Sequence, residues 1–185
     1  MTWNRLLTSD SYLKIAKSVF LKDIEEDLWA AVMEDNLDGV RRVLSNGMAE
    51  ANCESDRNFP RDLYSYPLVH TREMVETPLY YAARMGQQDV VKLLIERGAD
   101  PNWRHRSGMT PLCLAAAKQY SNVVRLLLDA GADPNKKGLW GCTPLSFAER
   151  NESAQIRGDG DVANMLREAG AIIGSRLGYM PVYEI

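Results

Sequence analysis

The sequence predicts an all-α fold in which similar supersecondary units are stacked in a row. The triplet Thr-Pro-Leu begins at Thr77, Thr110 and Thr143, so each copy follows the previous one after 33 residues. The same spacing separates the two copies of Gly-Ala-Asp-Pro-Asn and of Val-Val-Lys/Arg-Leu-Leu, at residues 98–102, 131–135, 90–94 and 123–127. A fixed period of this length is the signature of stacked units that bury their apolar faces against their neighbours.

Each triplet is predicted to open the first helix of a unit. The Thr77 hydroxyl can accept a hydrogen bond from an amide of the first turn, and Pro78 has no amide to leave unsatisfied and a φ angle that suits a helix start. Leu79, Ala82 and Ala83 then fall on one helical face. Because the alanines are small, the next unit can approach this face closely.

The second helix of each unit is predicted to begin at a side chain that accepts hydrogen bonds from its first amides and to end at a glycine in the left-handed conformation. The candidates for the start are Asp89, Asn122 and Asp161. The candidates for the end are Gly98, Gly131 and Gly170.

Together these motifs resemble the ankyrin repeat, whose consensus runs Gly-x-Thr-Pro-Leu-x-x-Ala-Ala, then a helix with Val-x-x-Leu-Leu, then Gly-Ala-Asp-x-Asn. The resemblance covers roughly residues 27–171. It implies an all-α ankyrin-repeat solenoid, in which each unit is a helix, a tight turn, an antiparallel helix and a projecting β-hairpin-like finger.

Four units can be aligned, and the two central ones match the consensus best. Unit one aligns with unit two at a shift of 51 residues, and its finger carries an insertion of about 18 residues. Unit four carries an insertion of about 6 residues between its two helices. Departures at both ends suit units that face water and cap the stack. The units span residues 27–47 (followed by the inserted finger 48–76), 77–98, 110–131 and 143–170.

The segments outside the repeats are interpreted as caps. Apolar side chains recur at helical spacing within residues 1–26, which predicts an N-terminal helix over the apolar edge of unit one; the alternative is a docking helix for a partner. The tail, residues 172–185, lies along the last unit or is loose. The inserted finger is too apolar for a disordered linker, so it either packs on the first fingers or becomes ordered on binding.

Composition and charge narrow the range of functions. The 185 residues include 22 basic and 25 acidic side chains, for a net charge of −3, so we do not expect a nucleic-acid partner. No stretch is apolar enough to span a membrane, and the N-terminus lacks the pattern of a signal peptide. Three cysteines at unrelated spacings predict thiols in a reducing compartment. We therefore expect an intracellular, cytoplasmic protein that is monomeric when free, with a secreted effector as the alternative.

The resemblance implies non-enzymatic protein recognition through the concave face that the fingers and the first helices form. Neither His70 nor His105 has a neighbour at metal-ligand spacing, and no catalytic or phosphate-binding motif appears, so we expect no enzyme activity, no cofactor and no metal. The family positions that usually meet a partner, with two tyrosines of the inserted finger, make up the predicted contact set: Tyr64, Tyr66, Glu76, Tyr80, Arg84, Met85, Arg104, Arg106, Ser107, Met109, Lys118, Lys137, Leu139, Trp140 and Arg150.

Six of these positions hold cations that would form a basic ladder along the concave face. They are Arg84, Arg104, Arg106, Lys118, Lys137 and Arg150. The ladder predicts a partner with an acidic segment or surface, and the alternative is that these are solvated surface cations. Leu139 and Trp140 stand where the finger is usually polar, so Trp140 is a predicted anchor; the alternative is that it folds back on Trp103 or on the next helix.

Three roles are compatible with such a protein. The first is an adaptor or scaffold, and the second is a dedicated inhibitor that occludes an enzyme or toxin, as an immunity protein or a host-directed effector does. The third is a substrate: Asn102 and Asn135 each stand eight residues after a Leu, a spacing similar to that of asparagines hydroxylated in ankyrin proteins. A proline precedes each Asn where the family usually has Val, so this role ranks last.

Overall fold

The structure is a computed structural model that describes residues 24–25, 27–45, 51–54, 75–138, 141–150 and 162–174. Within these ranges the chain forms helices and turns and no β-strand. Helix α1 includes residues 27–33, and residues 24–25 are helical as well. It is followed by α2 (Leu37–Ser45), α3 (Pro78–Met85), α4 (Gln88–Glu96), α5 (Pro111–Ala117), α6 (Ser121–Asp129), α7 (Pro144–Arg150) and α8 (Val162–Glu168). Most of the predicted N-terminal cap, most of the inserted finger and the tail after residue 174 lie outside the described residues.

The described helices form a row of pairs. Helices α3 and α4 pack together, as do α5 with α6 and α7 with α8. The first helices contact one another in the order α3, α5, α7, and the second helices do so in the order α2, α4, α6, α8. This is the arrangement of a repeat stack, so the predicted all-α solenoid is confirmed.

The helix positions repeat with the spacing of the sequence motifs. Helix α6 (Ser121–Asp129) follows α4 (Gln88–Glu96) after 33 residues, and α2 precedes α4 by 51 residues with the same length of nine. Helix α8 ends 39 residues after α6, and residues 151–161, which lie between α7 and α8, are outside the described part of the chain.

The first helices begin as the triplets predict. The Thr77 hydroxyl accepts a hydrogen bond from the Tyr80 amide, and the Thr110 hydroxyl accepts one from the Cys113 amide, each at 3.3 Å. A proline occupies the first turn in both helices. The Thr143 hydroxyl instead donates to the Ile172 carbonyl at 2.7 Å, so the last triplet is also bonded to the chain that follows α8.

The predicted starts of the second helices are wrong at Asp89 and Asn122. The N-cap residues are Gln87 for α4 and Tyr120 for α6, and neither side chain bonds to the helix amides. Asp89 lies inside the first turn of α4, where its negative charge still suits the positive end of the helix dipole. Asp161 lies outside the described residues. The predicted ends are confirmed, since Gly98, Gly131 and Gly170 have φ angles of 85°, 84° and 82°.

One elongated core runs through all four pairs. It consists of side chains at equivalent positions of successive units, and the largest of them are almost completely removed from water. Removing such apolar surface from water contributes about 1.5–3 kcal/mol per large side chain. The fully buried leucines and valines of this core include Leu28, Leu79, Leu112, Leu145, Leu94, Leu127, Leu166, Val90 and Val123.

Asparagine side chains tie each unit to the next. The Asn102 side-chain amide donates to the Gly131 carbonyl at 2.9 Å, and its side-chain oxygen accepts from the Asp133 amide at 2.8 Å. The same pair of bonds joins Asn52 to Gly98 and Asp100, and Asn135 to Gly170 and Ile172. We call these three side chains the asparagine ladder. The ladder ends at Gly174, which occupies the next equivalent position and has no side chain to extend it.

Replacing the central rung is expected to loosen the stack. The substitution Asn102→Ala removes two hydrogen bonds between units and should lower the free energy of unfolding by about 1–2 kcal/mol. The matched control is Asn122→Ala, because Asn122 is exposed near the start of α6 and its side chain is not part of the ladder. Urea denaturation followed by circular dichroism measures both variants. Equal midpoints for the two would contradict the structural role of the ladder.

Candidate partner-binding surface

The fingers are fixed to the first helices by a second, smaller core. Finger two spans residues 99–109 and finger three spans residues 132–142, of which 139–140 lie outside the described residues. A hydrogen bond from the His105 amide to the Met109 carbonyl closes finger two, and one from the Gly138 amide to the Cys142 carbonyl closes finger three. The buried residues between the fingers and helices α3, α5 and α7 are Tyr80, Met109, Cys113, Leu114, Cys142 and Phe147. We call the surface of these helices and these two fingers the finger face.

Fingers two and three are also bonded to each other. The Arg104 guanidinium donates to the Lys137 carbonyl at 2.9 Å and to the Gly108 carbonyl of its own finger at 3.2 Å. The Lys136 ammonium donates back to the Asn102 carbonyl at 2.9 Å. Arg104 therefore holds the two fingers in a fixed relation, in addition to lying on the surface as predicted.

Three predicted contact residues are not accessible. Glu76, Tyr80 and Met109 are buried, so the prediction that they belong to the exposed contact surface is wrong. The reason is the second core, because these side chains fill the space between α3, α5 and the fingers. The equivalent positions one unit later, Cys113 and Cys142, are buried as well, although they hold smaller side chains.

The charge of Arg84 is used within the protein. Its guanidinium lies 3.2 Å from the Glu76 carboxylate, with side chains that are 19% and 8% exposed respectively, and 5.1 Å from the centre of the Tyr81 ring. Burial raises the pKa of Glu76, and the neighbouring Arg84 charge opposes this shift. Because an ion pair with this little exposure is costly to break, Arg84 is a poor candidate for a direct partner contact.

An aromatic cluster supports the base of finger two. The Tyr80 ring packs edge-on against Trp103 and stacks on His105, each at 5.3 Å between ring centres. Trp103 in turn donates a hydrogen bond from its indole nitrogen to the Glu54 carboxylate at 3.3 Å. Trp103 and His105 were not predicted to support the finger. One feature of the sequence could have indicated this cluster. Unit two has the aromatic residue Tyr80 directly after Thr-Pro-Leu, where units three and four have Cys113 and Ser146.

The remaining predicted residues on the described part of the finger face are exposed or half-buried. Arg106, Lys118 and Lys137 are exposed cations, and Met85 is an apolar side chain with 53% exposure. Met85 and Lys118 hold equivalent places at the ends of α3 and α5, and Ser107 is half-buried beside His105. The predicted residues that lie outside the described part of the chain are Tyr64, Tyr66, Leu139, Trp140 and the side chain of Arg150.

Two long stretches of the segments that build this surface contain no acidic side chain, although the exposed residues Asp100, Asp133 and Glu149 border them. The sequence holds none from Pro101 to Lys118 and none from Pro134 to Ala148, although the whole chain has an acidic excess. The outer helices differ, since α4 and α6 carry both signs of charge. Among the described residues, cations therefore outnumber carboxylates on the finger face.

Comparison with known families decides what kind of stack this is. Residues 28–138 match the family model described as ankyrin repeats in three copies, which is more than half of the chain. The chain belongs to the ankyrin repeat family. The pair α7 and α8 lies beyond the matched residues and continues the stack by one more unit.

Ankyrin repeats are protein-protein interaction modules, so binding of a protein partner is the function that the family assigns to this chain. Among the described residues, no group of three or more His, Cys, Asp and Glu side chains is arranged to hold a metal ion. In the same ranges, no helix is both long and apolar enough to cross a membrane. The cysteines Cys53, Cys113 and Cys142 are buried thiols.

Proposed function

We propose that this ankyrin repeat protein binds an acidic segment of a partner protein across its finger face and acts as an adaptor. One observation supports the proposal above all others: exposed cations stand on fingers two and three and at the end of α5, within residues 101–118 and 134–148, which contain no carboxylate. Those cations are Arg106, Lys118 and Lys137. Complementary charge steers the encounter of partners and suppresses binding of the wrong ones.

The rigidity of the finger face favours affinity. Finger two is held by the aromatic cluster and by the Arg104 bonds to finger three, and both fingers rest on the second core. A surface that is already ordered loses little conformational entropy when a partner docks. The free protein therefore presents the cations at fixed separations, which favours one partner spacing over others.

The proposed segment also carries an apolar side chain. Met85 is the most exposed large apolar residue of the described first helices, and it lies at the place that Lys118 occupies one unit later. Methionine adapts its shape to different apolar partners. We place the acidic part of the segment at fingers two and three and its apolar part at Met85, with Tyr64, Tyr66, Leu139 and Trp140 as further proposed contacts.

Titration with synthetic peptides tests the proposal. A Glu/Asp-rich peptide that contains one Leu should shift the amide NMR signals of residues 103–109, 118 and 136–138, and a Lys-rich peptide of the same length should not. Equal shifts with both peptides, or shifts confined to α4 and α6, would contradict the proposed surface.

A complex with a natural partner distinguishes the adaptor role from the inhibitor role. A natural partner captured on the immobilised protein would be assayed for its own activity with and without a saturating amount of this protein. We expect unchanged activity for an adaptor, and loss of activity would assign the inhibitor role instead.

A further inference from the structure

His105 lies at the turn of finger two with its two ring nitrogens in different environments. Its Nδ1 accepts a hydrogen bond from the Ser107 backbone amide at 3.1 Å and lies 2.7 Å from the Ser107 hydroxyl oxygen. Its Nε2 is buried and has no hydrogen-bond partner among the described residues. One face of the ring stacks on Tyr80, whose hydroxyl also bonds to the Ser107 side chain.

The hydrogen bond from the Ser107 amide requires an unprotonated Nδ1. Because Nδ1 accepts a hydrogen from the Ser107 amide, the single ring proton is placed on Nε2. A second proton would have to occupy Nδ1, which would then donate to the Ser107 hydroxyl oxygen 2.7 Å away and could no longer accept the hydrogen bond from the Ser107 amide. The imidazolium would also keep a buried Nε2–H without a partner, which is more costly for a charged group than for a neutral one.

The charged groups around the ring oppose protonation. Arg106 follows His105 in the finger, and Arg84 approaches from α3. Of the acids around this cluster, Glu76 is paired with Arg84, and Glu54 accepts a hydrogen bond from the Trp103 indole nitrogen. Burial, together with the Arg106 and Arg84 charges, lowers the pKa of His105 below its ordinary value of 6.5.

We propose that His105 makes finger two a pH-sensitive element, in which a second proton breaks the bond from the Ser107 amide and opens the turn between His105 and Met109. Besides this bond, the turn is held by the Arg104 guanidinium, which donates to the Gly108 carbonyl, by a long bond from the Met109 amide to the Ser107 hydroxyl, and by two backbone bonds. Its backbone bonds run from the His105 amide to the Met109 carbonyl and from the Gly108 amide to the His105 carbonyl. Arg106 and Ser107, which belong to the proposed contact surface, lie between these two bonds.

The lowered pKa of His105 makes the stability of the folded protein depend on pH. The unfolded chain binds the His105 proton near pH 6.5, and the folded chain binds it only at lower pH. Stability from this residue is therefore complete above pH 6.5 and is lost as the pH falls from there through the folded-state pKa. Since one proton is involved, the folding equilibrium changes by at most about tenfold per pH unit.

The effect on partner binding rests on the proposed function. Protonation adds a positive charge to a surface that attracts acid, but a single exposed charge contributes little. When the turn is open, several residues must be ordered again whenever a partner docks. The cost of that lost backbone entropy is larger than the contribution of the single added charge. We therefore expect weaker binding of an acidic segment at low pH, where charge alone would predict stronger binding.

NMR titration tests the switch without any partner. The chain has two histidines, so His70→Asn assigns the remaining imidazole signal to His105. We expect this signal to titrate below pH 6.5 and the Ser107 and Gly108 amide signals to move with the same midpoint. A midpoint at or above 6.5, or amide signals that stay unchanged through it, would overturn the proposal.

The variant His105→Asn provides the matched control. An Asn side-chain oxygen can accept a hydrogen bond from the backbone amide two residues later, as Nδ1 does here, and it is not protonated between pH 5.5 and 7.5. We expect His105→Asn to keep the Ser107 and Gly108 amide positions at pH 7.5 and to show no change between pH 7.5 and 5.5. Retention of the full pH response in this variant would exclude His105 as its source.

A binding measurement keeps this inference separate from the proposed function. Affinity for the Glu/Asp-rich peptide is measured at pH 7.5 and 5.5 with the wild-type protein and with His105→Asn. Weaker binding at pH 5.5 in the wild type only would support the switch, and stronger binding would overturn its effect on recognition. If the peptide does not bind at either pH, the proposed function fails, and the amide titration alone decides the switch.

Discussion

The substitution Leu112→Ala is expected to lower the free energy of unfolding by about 2–5 kcal/mol. Leu112 belongs to the central first helix α5, is completely buried and lies in the core that α5 shares with α3 and α7. Because each unit of a repeat stack is stabilised only by its neighbours, a cavity in the central unit weakens two interfaces at once.

Urea denaturation of Leu112→Ala and of a surface control measures this effect. The control is Met85→Ala, since Met85 ends the preceding first helix with 53% of its side chain exposed. A surface truncation of this kind should change stability by no more than about 0.5 kcal/mol. If the two variants lost equal stability, the shared core would not be the source of the stability of the stack.

The second large effect concerns binding. Changing the three exposed cations Arg106, Lys118 and Lys137 to Glu should lower the affinity for an acidic partner by tenfold or more. Each reversal removes an attraction of about 0.2–1 kcal/mol at the surface and adds a repulsion of similar size. Arg104 is left unchanged, because its bonds to the Gly108 and Lys137 carbonyls hold the fingers. Replacing it would alter the structure of the fingers as well as partner binding.

The control for this variant carries the same change in net charge on the opposite side. It replaces the exposed residues Lys92, Arg97 and Arg125 of the second helices and their ends by Glu. Calorimetric titration of both triple variants at low and high salt compares them. We expect the control to retain most of its affinity and the finger-face variant to lose both affinity and salt dependence. Equal losses would indicate a general effect of net charge.

Features that depend on residues close together in the chain could be predicted from the sequence. The caps at Thr77 and Thr110 and the left-handed Gly98, Gly131 and Gly170 follow from local backbone chemistry, and the 33-residue period fixes how the units stack. The starts of α4 and α6 were not predictable in this way. Asp89 and Asn122 are good capping residue types, but both helices begin before them at residues that offer no capping side chain.

Features that depend on contacts between units could not be predicted so well. Whether Glu76, Tyr80 and Met109 are exposed depends on how fingers two and three close over α3 and α5. The second function of Arg104 depends on a carbonyl 33 residues away, at Lys137. The asparagine ladder joins residues about as far apart, although recurrence of Asn within Gly-Ala-Asp-Pro-Asn was a visible sign of a structural role.

Hydrogen–deuterium exchange of the free protein and of its complex with a captured partner tests the central claim most directly. That claim is recognition through the finger face of a rigid repeat stack. We expect the partner to slow exchange in residues 103–109, at the ends of α3 and α5 and in residues 136–138, while α4 and α6 exchange as they do in the free protein. Protection confined to α4 and α6, with fingers two and three unchanged, would contradict it.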